Sequence, residues 1–281
     1  RQYPRTIMPV SSLIFIVGPR RSGTTLLNSI LCSDPTANPL IGEAQPLTHL
    51  LAAIAWCHEN FERMARHYLP TRTAWEDYGR SICSSLVEHC WNTQRQPQHL
   101  ILKNPELSFH VKRLSAYFPT AKFVVSVRDP RDQIASEHDV IARRGTMPAE
   151  AFNAASLARQ YVRALTTILT AAEGSPGRFH FVQYEQLVTD PIAECRRLAD
   201  FCQLDLAAFS PDTQWQRMAV TVDELAKRPS FSKLYGQPLT SQQVGRYRQV
   251  LTQHDIKAIE DITEPLMERF SYPRAIEAPA G

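Results

Sequence analysis

The sequence predicts an α/β fold, a central parallel β-sheet flanked by helices on both faces, and three observations predict it. A short, continuously apolar run at 12–17 suits a strand buried on both sides, and 99–103 and 121–127 are the next strand candidates. Stretches with three- and four-residue apolar spacing lie between them, the alternation that makes neighbouring strands parallel. The first apolar run ends at Gly18 in a glycine-bearing turn, after which a helix starts at Thr24 or Thr25.

The elements follow in order. "SLIFIV" at 12–17 opens the sheet and "LLNSILC" continues the first helix. A loop with two prolines and a glycine, "SDPTANPLIGEAQ", leads into "PLTHLLAAIAWCHENFERMARHYL", which reads as one or two helices. Residues 73–94 carry a helix start signal and helical apolar spacing. "HLILK" at 99–103 is the second strand, "ELSFHVKRLSAYF" a helix, and "AKFVVSV" at 121–127 the third strand. A helix begins after Pro130, a long amphipathic one covers 148–174, and 178–187 restores the strand pattern before the helical "DPIAECRRLADFCQ". Between 204 and 244 the periodicity weakens, with prolines at 211, 229 and 238. That segment is either an unstructured linker or an ordered loop, and Trp215, Phe231 and Tyr235 favour a loop packed over a site. A last helix covers 253–270, with Pro265 expected to bend it. The whole reads as one domain over 1–281, with a mainly helical insertion around 43–95 and a closing loop around 205–250.

Composition narrows the function classes. Hydrophobic residues at 43% and charged residues at 21% belong to a globular chain rather than a disordered or fibrous one. A net charge of +3 is too mild to indicate nucleic acid as a partner, and an anionic small ligand explains it. The six cysteines form no C-x-x-C pair and have no histidine at zinc spacing, which suits reduced, buried thiols in a cytoplasmic protein. No run approaches the roughly 20 apolar residues that span a bilayer, and "RQYPRTIMPVSS" lacks the apolar core of a secretion signal.

"FIVGPRRSGTTLL" at 15–27 has the glycine spacing of the GxxxxGK[ST] phosphate loop, with Gly18 and Gly23 in place, but Thr24 stands where nucleoside triphosphatases keep lysine. Amide N–H groups of such a loop converge with a helix N-terminus into an anion site, which places the chain among P-loop-type sheets. Gly23 lets the backbone approach an oxyanion, Ser22, Thr24 and Thr25 lie beside it, and Arg20 and Arg21 add permanent charge. A magnesium-bound triphosphate needs the missing lysine. A sulfuryl group carries less negative charge than a phosphoryl group, so side-chain cations suffice and no metal is required. A second segment, "FVVSVRDPRDQIASEH", puts Arg128 at a strand's carboxyl edge and Ser136 on the next helix, where both can reach one phosphate. The same segment also reads as a helix capped by Asp129 and Asp132.

Together these segments make the chain resemble sulfotransferases dependent on 3′-phosphoadenosine 5′-phosphosulfate (PAPS), most of all the branch containing tyrosylprotein sulfotransferases and many bacterial enzymes. "RRSGTTLL" resembles that family's 5′-phosphosulfate loop, with Arg20 where proline is usual, and "VRDPRDQIAS" resembles its 3′-phosphate segment, which implies that Arg128 and Ser136 grip that phosphate. The resemblance of "LKNP" implies Lys103 as a second catalytic cation beside Arg21, and that of "IGEAQPL" implies Glu43 as the base, against the alternative of a solvated loop carboxylate. "FVQYEQLVTDP" implies Tyr184 near the adenine. "SQQVGRYRQVL" implies cofactor contacts from Ser241, Gly245 and Arg246, with Ser241 also touching the leaving phosphate or Lys103. Where steroid and phenol sulfotransferases keep R-K-G, this chain has Thr240, Ser241 and Gln242, and Pro105 replaces their histidine. His49, His58 and His110 are rival bases.

With no secretion signal read at the N-terminus, a small-molecule alcohol, sugar or amine is expected as acceptor rather than a lumenal protein, with protein tyrosine as the alternative. Its pocket is expected between 42–65, 73–94 and the loop near 205–240, with Trp56, Trp75, Trp91 and Trp215 as candidate walls. A P-loop kinase and a non-catalytic nucleotide-binding protein are the readings from other classes.

Overall fold

The computed structural model describes residues 12–144, 152–206, 210, 214–219, 224, 232 and 234–275. In chain order the elements are β1 (Ser12–Val17), α1 (Thr24–Leu31), α2 (Gln45–Glu59), α3 (Phe61–Met64), α4 (Arg72–Thr93), β2 (His99–Lys103), α5 (Val111–Tyr117), β3 (Lys122–Val127), α6 (Pro130–Arg144), α7 (Ala154–Glu173), β4 (Phe179–Gln183), α8 (Tyr184–Thr189), α9 (Pro191–Cys202), α10 (Tyr247–Val250) and α11 (Gln253–Arg269). The four strands form one parallel sheet in the order β2-β1-β3-β4.

Because strand side chains alternate, β1 feeds two cores. Leu13, Phe15 and Val17 face the larger one with Leu47 and Leu51 of α2, Leu114 of α5 and Leu165 of α7. Phe15, Phe123 and Phe179 stack across β1, β3 and β4 on that face, with centroid separations of 5.6 and 4.7 Å. Ile14 and Ile16 face the other core with Leu27 and Leu31 of α1 and Leu198 of α9. Both faces are therefore covered, as the continuous apolar run at 12–17 requires. All six cysteines are free thiols, and burial pushes Cys32, Cys83, Cys195 and Cys202 up to about 12, which makes them inert packing groups.

Several boundaries differ from expectation for local reasons. The fourth strand ends at Gln183, and Tyr184 starts α8, where Glu185 Oε1 accepts the Asp129 N–H at 2.9 Å. Helix α4 begins ahead of Thr73 because Thr71 Oγ1 caps it by accepting from Ala74 N at 3.1 Å. Asn153 caps α7, whose first residue is Ala154, and 145–151 lies outside the described residues. Helix α11 runs through Pro265 as one element, started by a Thr252–Asp255 capping box.

One carboxylate ties the helical insertion to the sheet layer. Glu76 on α4 accepts from Arg113 Nε at 3.0 Å, Arg113 Nη2 at 2.8 Å and Tyr117 Oη at 2.6 Å. Burial pushes its pKa up, but the Arg113 and Tyr117 hydrogen bonds outweigh that and hold it below the usual carboxylate value. Such a group stabilises the fold above its unfolded pKa and loses that contribution as pH falls through its lowered folded value. Glu76→Gln is expected to cost about 1–2 kcal/mol at neutral pH. Urea denaturation of both proteins should show the gap closing below the ordinary carboxylate range.

Candidate active site

The carboxyl ends of β1, β2 and β3 open into a cavity of about 320 Å³, in the crevice where connections leave the sheet in opposite directions. Its floor is the 18–23 loop. Gly18 is pinned by Ser108, whose Oγ accepts from Gly18 N at 2.9 Å and donates to Gly18 O at 3.1 Å. Arg21 and Gly23 adopt positive φ of 63° and 102°, which turns the chain sharply into α1. Helix α1 has no side-chain cap and no acidic residue in its first turn, so its first N–H groups face the cavity as an anion site.

A second basic group reaches the cavity where β3 meets α6. Arg128 is buried, with Nη1 donating to Arg21 O at 3.2 Å, Nη2 to Gln243 O at 2.7 Å, and its guanidinium carbon 4.4 Å from the Tyr184 ring centroid. Its buried Nε has no hydrogen-bond partner among the described residues, a donor left for an anion. Arg21 Nε donates to Ser136 Oγ at 3.2 Å, which links the floor to α6. Tyr184 also packs against Gly23 so tightly that a Cβ there would lie 2.7 Å from Tyr184 Cδ2.

A cation and a carboxylate meet at the end of β2. Lys103, only 5% exposed, places Nζ 2.9 Å from Glu43 Oε1 and 3.1 Å from Thr25 Oγ1. Ala44 N donates to Lys103 O at 2.9 Å, which brings Glu43 to the strand end. Thr25 Oγ1 also accepts from Tyr235 Oη at 3.2 Å, so the covering loop reaches the same cluster. Asn104 is committed to the wall, with Oδ1 accepting from Glu106 N and Nδ2 donating to Thr48 Oγ1, both at 3.0 Å.

Most residues expected at the site converge on this one cavity: Arg20, Arg21, Gly23, Thr24, Thr25, Glu43, Arg128, Ser136 and Tyr184 line it, and Lys103 adjoins it through Glu43 and Thr25. Four residues do not join them. Ser22 is buried and donates its hydroxyl to Pro19 O at 2.7 Å, which makes it a brace of the loop. Ser241 is exposed, and its neighbour Thr240 lines the cavity instead. Gly245 N is occupied by Asp132 Oδ2 at 2.6 Å, and Arg246 pairs with Asp139.

The covering segment supplies Gln214, Trp215, Leu234, Tyr235 and Gln243 to the wall, while Phe231 lies outside the described residues. No residue of 73–94 lines the cavity. Trp75 and Trp91 are instead spent on the helical layer, their Nε1 groups donating to Ile54 O at 3.0 Å and Pro97 O at 2.8 Å, and Trp56 lies on the surface. His49, His58 and His110 are also absent from the lining. Asp129 is bound to Arg131 through both oxygens, at 2.9 and 2.6 Å, and so is engaged as a structural ion pair. Gln214 and Gln243 were not legible as wall residues, because no periodicity sets the register of a loop.

Comparison with known proteins gives the geometry a family. The model of the "Sulfotransferase family" matches residues 13–208. Protein-tyrosine sulfotransferase 1 of Danio rerio is 29% identical over 198 residues, 68% of this chain and 53% of that protein. A Mycobacterium bovis protein named omega-hydroxy-beta-dihydromenaquinone-9 sulfotransferase Stf3 is 34% identical over 110 residues, 37% of this chain and 28% of that one. A putative protein-tyrosine sulfotransferase of Caenorhabditis briggsae is 25% identical over 195 residues, 68% of this chain and 65% of its own length. The chain thus spans only part of the length of these relatives. Among solved structures, the sulfotransferase domain from the curacin biosynthetic pathway superposes with a TM-score of 0.62 at 20% identity, covering 94% of this chain and 99% of that one, which establishes a shared fold.

Proposed function

The chain belongs to the sulfotransferase family, and from that premise we propose that it transfers a sulfuryl group from PAPS to a hydroxyl or amine of a small-molecule acceptor by in-line displacement. The observation that carries this reading is the contact of Lys103 Nζ with both Glu43 and Thr25 beside the open N-terminus of α1. A proton acceptor, a cation and an anion cradle share one cavity, which is the equipment that group transfer between two bound molecules needs.

The residues present fit the donor, because the cavity offers two separate anion sites and one of them contains the unpartnered Arg128 Nε. Arg128 and Ser136 would hold the 3′-phosphate, with Tyr184 beside them, and Gly23, Thr24, Thr25, Arg20 and Arg21 the phosphosulfate end. Bound there, PAPS supplies an activated sulfuryl group and a phosphate leaving group. Glu43 Oε1 takes the proton of the acceptor hydroxyl or amine. Lys103 and Arg21 keep positive charge where negative charge develops, and Thr25 holds the Lys103 ammonium in place. The covering Trp215, Tyr235 and Leu234 exclude water and leave a compact space that suits a small acceptor. The protein-tyrosine relatives favour a second reading, a tyrosine side chain entering the same cavity.

Transfer of radiolabelled sulfate from PAPS to a panel of alcohols, sugars, amines and tyrosine peptides tests both readings. Metal-dependent ATP binding without affinity for 3′-phosphoadenosine 5′-phosphate (PAP) would sink them together. Arg128→Ala is expected to weaken PAP by about a hundredfold, the scale of losing a buried charge-assisted contact. Titration calorimetry reads that loss, and an unchanged Kd would remove Arg128 from the donor site.

A further inference from the structure

Thr25 Oγ1 is the meeting point of three elements. Lys103 Nζ, from the end of β2, lies 3.1 Å from it, and Tyr235 Oη, from the covering segment, donates to it at 3.2 Å. Thr25 itself belongs to the first turn of α1, and both it and Tyr235 line the cavity.

The chemistry of the three groups decides which way each proton points. A hydroxyl oxygen has two acceptor lone pairs and one proton of its own. An ammonium can only donate, so Lys103 takes one lone pair of Thr25. A phenolic O–H is a better donor than an aliphatic one, so Tyr235 takes the other. Thr25 then has only its proton left to give, and the tetrahedral oxygen aims it away from Lys103 and Tyr235. The neighbouring N–H groups at the uncapped start of α1 are donors too and cannot receive it. An anion held at that helix end can.

Tyr235 is carried to Thr25 by a braced stretch of chain. Its ring packs against Trp215, with centroids 5.7 Å apart, and Trp215 Nε1 donates to Gln237 O at 2.8 Å. Close by in the chain, Arg217 donates to Cys32 O at 2.8 Å and Ala37 O at 2.9 Å, while its own carbonyl accepts from Leu40 N at 2.8 Å. The segment is thus fastened beyond the C-terminal end of α1 while its phenol reaches the N-terminal end.

We propose that Tyr235 is a positioning residue that acts through Thr25: its phenol saturates Thr25 Oγ1 and so commits the Thr25 proton to the anion at the 5′ end of the donor. This rests on the PAPS reading above. Without the phenol, the Thr25 hydroxyl turns more freely and its proton is no longer held on that anion.

Calorimetric titration of the whole protein with PAP and with adenosine 3′-phosphate, which lacks the 5′ anion, tests it. Tyr235→Phe keeps the ring against Trp215. It should weaken PAP by about fivefold, the scale of one hydrogen bond, and leave adenosine 3′-phosphate within about twofold of wild type. In a Thr25→Val background, Tyr235→Phe should change PAP affinity by less than about twofold, whereas in Thr25→Ser, which keeps the hydroxyl, the loss of about fivefold should return. Equal losses for the two nucleotides, an unchanged PAP affinity, or a full loss in the Thr25→Val background would overturn the assignment and leave the PAPS reading standing. A wild type that binds neither nucleotide would overturn the PAPS reading and this assignment with it.

Discussion

Under the proposed function, Lys103→Ala is expected to lower kcat for sulfate transfer by at least about a hundredfold, the scale set by removing one preorganised donor to developing charge. The ammonium sits almost buried between Glu43 Oε1 and Thr25 Oγ1, so its loss withdraws positive charge from the reacting region and leaves Glu43 without its counter-ion. PAP affinity should change only a few-fold, because Arg128 and the α1 amides lie on other elements. Steady-state kinetics with saturating acceptor, paired with PAP titration and a thermal melt, separate lost chemistry from lost fold. A variant that melts normally and turns over within threefold of wild type would remove Lys103 from the mechanism.

Gly18→Ala should destabilise the protein by about 3 kcal/mol or more, among the larger effects a single methyl group can have. The added Cβ would lie 2.3 Å from Ser126 O, in a backbone conformation, φ +140°, that side chains rarely adopt. The clash is with main chain of the neighbouring strand β3, so no rotamer change relieves it. Relief requires Gly18 to move away from β3, and Gly18 is the residue that Ser108 pins through two hydrogen bonds. Denaturant titration measures the loss. A midpoint indistinguishable from wild type would show that the loop yields at this position.

The fold was legible because its signals are local and repeated. A continuous apolar string suits a strand buried on both faces, and β1 is such a string. Chemistry at strand ends was legible for a related reason: Arg128 and Lys103 lie one residue past or at the end of β3 and β2, so placing the strand places the side chain. Glu43 required the resemblance, because nothing in its own loop says that Ala44 N will bond to Lys103 O and carry it to the cation. The segment around 240 is the opposite case. With no period to set register, Ser241 and Thr240 are equivalent in the sequence, and only the turn in three dimensions sends one outward and the other inward. The tryptophans of the helical insertion misled for a different reason: a large aromatic surface is as useful between helices as in a pocket, and Trp75 and Trp91 are used between helices.

Asp132 on α6 grasps the closing segment by its main chain, taking Gly245 N on one oxygen and Tyr247 N on the other. A grip on amides is blind to side-chain identity, so the outward positions there are free to drift while the geometry persists. Departure from a familiar string at 240–242 is therefore compatible with an intact clasp, and a search keyed to letters would overlook what a carboxylate and two N–H groups maintain.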